Sequence, residues 1–217
     1  MKILVVGGSA SGKSEYAEQL IAGGFALGEL ASEFSEGEMD AVRLAESRTR
    51  PRYYIATMEP FGTEGAARIA RHREMRRERG FTTIERFTDL RNLTLGNAAS
   101  AVSAPNNGNA DNLSLRDSSV PCVALLEDIG NLVANEVYSV GGDDVAERIV
   151  DGVLSLAAQC ETLVVVSNDI ARDAERYDEE MTRYLALVGD VNRRLAAEFD
   201  EVYEVIAGII ERIKPAK

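Results

Sequence analysis

Gly7-Gly8-Ser9-Ala10-Ser11-Gly12-Lys13-Ser14 follows directly on the apolar run Ile3-Leu4-Val5-Val6, and this junction decides the fold. The octet fits G-x-x-x-x-G-K-[ST], the phosphate-binding loop, in the context that motif requires: a short buried strand before it and a helix after it. The helix is expected over 14–22, with Ala17, Leu20 and Ile21 on one face. Glycines let the backbone N–H groups turn inward around phosphates, and the helix N-terminus adds the positive end of its dipole. Lys13 then reaches the β- and γ-phosphates, and the Ser14 hydroxyl can ligate Mg²⁺. The chain is therefore expected to bind a nucleotide.

Beyond the loop, apolar segments alternate with helical periodicity. Strands are expected over 2–6, 52–56, 122–127, 162–167 and 201–206, with a terminal strand around 208–213. Helices are expected over 14–22, 65–79, 143–159 and 177–198. In the last of these Met181, Tyr184, Leu185, Val188, Val191 and Leu195 keep the three-four spacing of a core-facing stripe. Such alternation implies an α/β fold, a mostly parallel sheet with helices on both faces, here of the P-loop NTPase (RecA-like) type. A length of 217 residues suits one domain over 1–217. Two segments break the rhythm and read as insertions. Residues 23–51 are acidic and then basic, whereas 96–121 are rich in Asn, Ser, Ala and Gly, with Pro105 and Pro121.

Composition narrows the function. A net charge of −12 argues against an electrostatic nucleic-acid binder, which needs a basic face. No apolar run approaches 18 residues, so no membrane span is expected, and the four-residue run at the N-terminus is too short for a signal peptide. Cys122 and Cys160 sit beside apolar runs and read as buried reduced thiols, which favours a cytoplasmic location. Against this acidic background Arg68, Arg71, Arg73, Arg76, Arg77 and Arg79 form a basic cluster suited to a small anion.

A P-loop enzyme takes a carboxylate from a neighbouring strand end to hold hydrated Mg²⁺. Val123-Ala124-Leu125-Leu126-Glu127-Asp128 supplies one. Glu127 is the first choice for the metal, with Asp128 as the alternative. Neither N-K-x-D nor D-x-x-G occurs, so regulatory GTPase chemistry is not supported. The single histidine, His72, lies among the arginines, with Arg68 and Arg76 on its own helix face. Taken alone, such a histidine reads as part of a solvated face. A neutral ring nitrogen flanked by cations is nevertheless suited to attack phosphorus while the arginines hold the other oxygens.

Several motifs occur in a telling order. After the P-loop come Tyr54-Ile55-Ala56-Thr57, then Arg68-Ile69-Ala70-Arg71-His72-Arg73, then Phe81-Thr82-Thr83-Ile84-Glu85. Leu125-Leu126-Glu127 follows with Asn135 eight residues on, then Val165-Val166-Ser167-Asn168-Asp169 and Gly189-Asp190-Val191-Asn192-Arg193-Arg194-Leu195-Ala196. Over nearly the whole chain this resembles the adenosylcobinamide kinase/adenosylcobinamide-phosphate guanylyltransferase family of cobalamin biosynthesis. The resemblance implies two steps, phosphorylation of adenosylcobinamide by a nucleoside triphosphate and transfer of GMP from GTP to the phosphorylated corrinoid. It implies catalytic roles for His72, as carrier of GMP, and for Lys13. It implies nucleotide contacts from the whole loop Gly7–Ser14, from Ala56, Thr57 and Met58, from Arg73, Glu74, Met75 and Arg76, and from Glu85 and Glu127. GTP, ATP and Mg²⁺ are the implied cofactors, a corrinoid the implied acceptor, and a homo-oligomer, a trimer, the implied assembly.

The sequence departs from that family in places. Ala10 stands where the family usually has Arg, Gly65 where it has Met, and Gly130 where it has Thr. Ile170-Ala171-Arg172-Asp173-Ala174-Glu175-Arg176 replaces a glycine-rich segment, and Leu185-Ala186 replaces an Arg-Asp pair. The departures fall mostly outside the nucleotide half. Asp169, just past a strand end, is a candidate base for the acceptor hydroxyl. Two other functions stay open at this level: a monofunctional P-loop small-molecule kinase with His72 a bystander, and a non-catalytic nucleotide-binding paralogue.

Overall fold

Buried on both faces, Ile3, Leu4 and Val5 can only belong to an inner strand. In the computed structural model, which describes residues 1–22, 50–59, 79–95, 122–169 and 177–214, they form β1 (Lys2–Gly7). The remaining strands are β2 (Arg52–Ala56), β3 (Thr82–Glu85), β4 (Val123–Glu127), β5 (Thr162–Asn168), β6 (Glu201–Ile206) and β7 (Ile209–Lys214). They make one seven-stranded sheet in the order β3-β2-β4-β5-β1-β6-β7. All pairings are parallel except β6 with β7, which form an antiparallel hairpin. The α/β class and the mostly parallel sheet expected from the sequence are what the chain forms.

Four α-helices lie among the described residues: α1 (Lys13–Ala22), α2 (Ile129–Asn135), α3 (Val145–Ala157) and α4 (Glu179–Glu198). Strand alternation sends Ile3, Val5, Tyr54, Leu125, Val164 and Val205 to the face covered by α1, through Ala17 and Ile21. It sends Leu4, Ile55, Leu126, Leu163 and Val165 to the opposite face, against Leu132, Val153, Leu156, Val191 and Leu195 of α2, α3 and α4. Each fully buried aliphatic side chain contributes about 1.5–3 kcal/mol, so the two-sided burial of this sheet is the main source of stability. Local chemistry sets the helix ends. Asp128 caps α2 by accepting from the Asn131 N–H (2.7 Å), and Asp178 caps α4 by accepting from Met181 (2.8 Å). At the other end of α4, the Lys214 ammonium donates to the carbonyls of Ala196, Ala197 and Phe199, where a cation meets the negative end of the helix dipole.

Several expectations shift. β3, α2, a 3₁₀ turn at Leu90–Asn92 and a π-turn at Glu136–Val140 were not expected. Along the stripe on α4, Val188, Val191 and Leu195 are buried and Tyr184 packs half-buried against the same core, whereas Leu185 is half-buried and Met181 exposed. The reason is length. A 20-residue helix spans about 30 Å, whereas six- or seven-residue strands span about 20 Å, so the first turns of α4 overhang the sheet. Cys122 is buried but Cys160 is only half-buried, and neither is in a disulfide. The helix expected over 65–79 lies outside the described residues up to 78. So do 23–49 and 96–121, which hold most of the two expected insertions.

Candidate active site at the C-terminal rim of the sheet

β1 ends in the phosphate loop and α1 begins inside it. Gly12 has φ +94°, a left-handed conformation that an L side chain resists, and Ala10 adopts φ 54° despite its Cβ. At Gly7 a Cβ would lie 2.5 Å from the Val205 carbonyl oxygen and 2.6 Å from Ser11 Oγ, so the loop can pass β6 only with glycine there. The loop is closed by the Ser11 N–H donating to the Gly8 carbonyl (3.3 Å) and by Lys13 Nζ donating to the same oxygen (3.0 Å). The β6–β7 turn braces it from one side, the Gly208 N–H donating to the Ser11 carbonyl (2.9 Å).

The acid that completes the site comes from two strands away. β5 lies between β1 and β4, which separates their ends by about 10 Å. A glutamate is long enough to cover part of that gap: Ser14 Oγ donates to Glu127 Oε1 at 2.5 Å. Tyr54 on β2, its ring buried under the sheet, donates its hydroxyl to the other Glu127 oxygen. One carboxylate thus ties the loop, β4 and β2 together.

Around it the strand ends are tightly bonded. Thr57 is fully buried, and its hydroxyl bridges one residue, accepting from the Asp128 N–H (2.7 Å) and donating to the Asp128 carbonyl (2.8 Å). Asn135 donates to the carbonyls of Thr57 (2.8 Å) and Phe87 (3.0 Å), locking the exit of β2 to that of β3. Asn168, at the end of β5, donates to Asp128 Oδ2 (3.0 Å). Burial pushes the Asp128 carboxyl above the usual carboxylate range and the Glu127 charge adds to this; the Asn131 N–H, Asn168 and Lys13 oppose it. Tyr184 on α4 donates to the Gly130 carbonyl (3.2 Å), and burial, then the Asp128 charge, raises its own pKa.

The family model described as cobinamide kinase / cobinamide phosphate guanyltransferase matches residues 35–104 and 106–213. The chain belongs to this family. Among curated relatives, it is 30% identical to the bifunctional adenosylcobalamin biosynthesis protein CobU of Escherichia coli (strain K12), the alignment covering 99% of this chain and 100% of the relative. It is 29% identical to the protein of the same name from Salmonella typhimurium (strain LT2), with the same coverage. Membership of the cobinamide kinase / cobinamide phosphate guanyltransferase family makes this chain an enzyme.

Within that family frame, the residues singled out by sequence divide in three. Gly7, Gly8, Ser9, Ala10, Ser11, Gly12, Lys13 and Ser14 form the loop, and Glu127 reaches it. Ala56 and Glu85 sit at matching register positions on neighbouring strand ends, as do Ala56 and Glu127, with Thr57 and the exposed Met58 just beyond. His72, Arg73, Glu74, Met75 and Arg76 lie outside the described residues. Asp169 donates its backbone N–H to the Gly7 carbonyl (2.9 Å), which places it beside the loop. The residues missed by sequence are Tyr54 as a partner of Glu127, Asn168 and Tyr184 around Asp128, and Gly208 behind the loop. Only Tyr54 left a signal: a buried tyrosine needs a partner for its hydroxyl. Among the described residues no helix is long and apolar enough to cross a membrane.

Proposed function

We propose that this chain carries out both activities of its family at the rim formed by the P-loop and Glu127. In the first, the hydroxyl of a cobinamide-type corrinoid attacks the γ-phosphorus of ATP or GTP. A P–O bond forms, the bond to the β–γ bridging oxygen breaks, the nucleoside diphosphate leaves and the hydroxyl proton is released. In the second, a ring nitrogen of His72 attacks the α-phosphorus of GTP and expels pyrophosphate. A phosphate oxygen of the corrinoid phosphate then displaces the histidine, giving the corrinoid-GDP and restoring the imidazole.

The observation that carries this reading is the Ser14–Glu127 contact, which joins a strand-end acid to a P-loop in a member of this family. Hydroxyl and carboxylate are hard oxygen donors, and Mg²⁺ is held by one or two carboxylates together with substrate phosphates and water. Ser14 and Glu127 would hold it. When bound, the ion offsets the triphosphate charge. Lys13 donates to phosphate oxygens in place of the Gly8 carbonyl. Tyr54 fixes the rotamer of Glu127. Ala56, Thr57, Met58, Glu85 and the Arg73–Arg76 segment frame the nucleotide, and the arginines hold phosphate oxygens as His72 attacks. In this reading the chain is one domain over 1–217 with insertions at about 23–51 and 96–121, acting in the cytoplasm as a homo-oligomer, a trimer.

GTP labelled at the α-phosphate tests the proposal. With Mg²⁺ it leaves an acid-labile, alkali-stable label on the protein, mapped to the peptide containing His72 and missing from His72→Ala. Equal labelling of His72→Ala refutes the carrier role. Lys13→Ala lowers γ-phosphoryl transfer to the corrinoid by at least about a hundredfold; retained transfer refutes the role of the loop.

A further inference from the structure

The sheet order gives the site a direction. Lys13 and Ser14 take the β,γ end of a triphosphate, and Ser14 is met by Glu127 from β4. The γ-phosphate therefore points from β1 toward β4. In an in-line transfer the attacking oxygen arrives opposite the leaving group, over the ends of β4 and β5 on the side away from β6.

Three polar side chains from three different elements converge there. Asp128 follows β4, Asn168 ends β5 and Tyr184 projects from α4. Their meeting point is Gly130: a Cβ on it would lie 3.1 Å from the Tyr184 hydroxyl, 3.2 Å from Asp128 Oδ1 and 3.4 Å from Asn168 Nδ2. Asp128 accepts one hydrogen bond on each oxygen, from Asn131 and from Asn168, and each carboxylate oxygen has capacity for another donor. Tyr184 donates to Gly130 and keeps its acceptor lone pairs. Asn131 and Asn168 thus hold in place a carboxylate that can receive a hydroxyl, with the Tyr184 hydroxyl beside it over Gly130.

Beyond this cluster two large apolar side chains stand exposed. Met181 is 40% and Tyr138 62% exposed, the latter in the middle of the π-turn that continues α2. Tyr138 faces the acidic start of α4, Asp178 and Glu180, so the overhanging first turn of α4 and the π-turn after α2 make one ledge. Leaving large apolar side chains uncovered forgoes burial energy, and a ledge that continues a phosphoryl-transfer site suits the body of the molecule whose hydroxyl reacts.

We propose that Asp128, Asn168 and Tyr184, floored by Gly130 and edged by Tyr138 and Met181, form the acceptor subsite. It takes an alcohol carried on a broad apolar molecule, here the corrinoid. This rests on the kinase/guanylyltransferase reading above. Asp128 orients the attacking hydroxyl by accepting its hydrogen bond, and the ledge supports the macrocycle.

The test is steady-state phosphorylation of cobinamide by wild type, Tyr138→Ala, Tyr184→Phe and Gly130→Ala, with thermal melts for each. The KM for cobinamide rises about fivefold or more in every variant, the loss of one hydrogen bond or one apolar contact, while the KM for the nucleotide stays within about twofold of wild type. Gly130→Ala inserts a methyl into the convergence point; if it unfolds, exposed Tyr138 and the isosteric Tyr184→Phe decide. An unchanged cobinamide KM in the folded variants, with wild-type turnover intact, overturns the subsite and leaves the activity standing. So does a change of oligomer mass in Tyr138→Ala without a KM effect, which assigns the ledge to a second copy of the chain. A wild type that neither binds nor phosphorylates cobinamide overturns the kinase reading and the subsite with it, whatever the α-phosphate labelling shows for His72.

Discussion

Thr57→Val isolates what holds the acidic end of β4 against β2. The substitution keeps the shape of a fully buried side chain and deletes only the hydroxyl that bridges the Asp128 N–H and carbonyl at 2.7 and 2.8 Å. The Asp128 carbonyl still accepts from the Leu132 N–H at 3.2 Å, so only the Asp128 N–H is left without a partner, at a cost of about 1–3 kcal/mol. With a urea m-value of about 2–3 kcal/mol per molar for a chain of this size, the unfolding midpoint falls by about 0.5–1 M at constant m. Thr57→Ser keeps both hydrogen bonds and loses one methyl, so it costs only about 1 kcal/mol. Because Asp128 is covalently next to Glu127, Thr57→Val also weakens nucleotide binding, read by equilibrium titration with a fluorescent GTP analogue. If Thr57→Val loses less than about 0.5 kcal/mol, or less than Thr57→Ser, the bridge is not what fixes this strand end and the reasoning fails.

Two further outcomes follow from the loop and its neighbour. Gly7→Ala meets the Val205 carbonyl at 2.5 Å and loses about 1–3 kcal/mol of stability by urea denaturation, whereas a Cβ at Gly8 meets nothing within 4 Å, so Gly8→Ala leaves the midpoint in place; equal effects would contradict the packing described. A carboxyl whose pKa is raised in the fold binds its proton more tightly folded than unfolded, so the raised Asp128 favours the fold at low pH, and that contribution is lost as pH rises from the ordinary aspartate value through the folded one. Wild type should therefore lose more stability than Asp128→Asn between about pH 4 and pH 7, measured as urea midpoints; parallel profiles would remove Asp128 as the source.

Much of the nucleotide half of this enzyme is contiguous in the chain, and so it could be read directly. A phosphate loop is a local structure, made of neighbours whose conformation depends on glycine and on the strand and helix attached to it. Inner strands of a parallel sheet announce themselves as unbroken apolar runs, and Ile3–Val6, Val123–Leu126 and Leu163–Val166 did so. β3 escaped because Thr82-Thr83-Ile84-Glu85 is a short, half-buried edge strand with one aliphatic residue. α2 escaped because seven residues are too few to display a period.

Tertiary structure alone decided what meets the loop. No spacing in the sequence tells that β5 inserts between β1 and β4, so the length a carboxylate needs to reach Ser14 became visible only with the strand order. Nor could the sequence bring Asp128, Asn168 and Tyr184 to one point, since they are separated by 40 and 16 residues and meet through pairing and packing of whole elements. Local conformational preference wrote the phosphate cradle into eight consecutive residues; long-range hydrogen bonding and burial, which depend on the whole sheet at once, set everything around it.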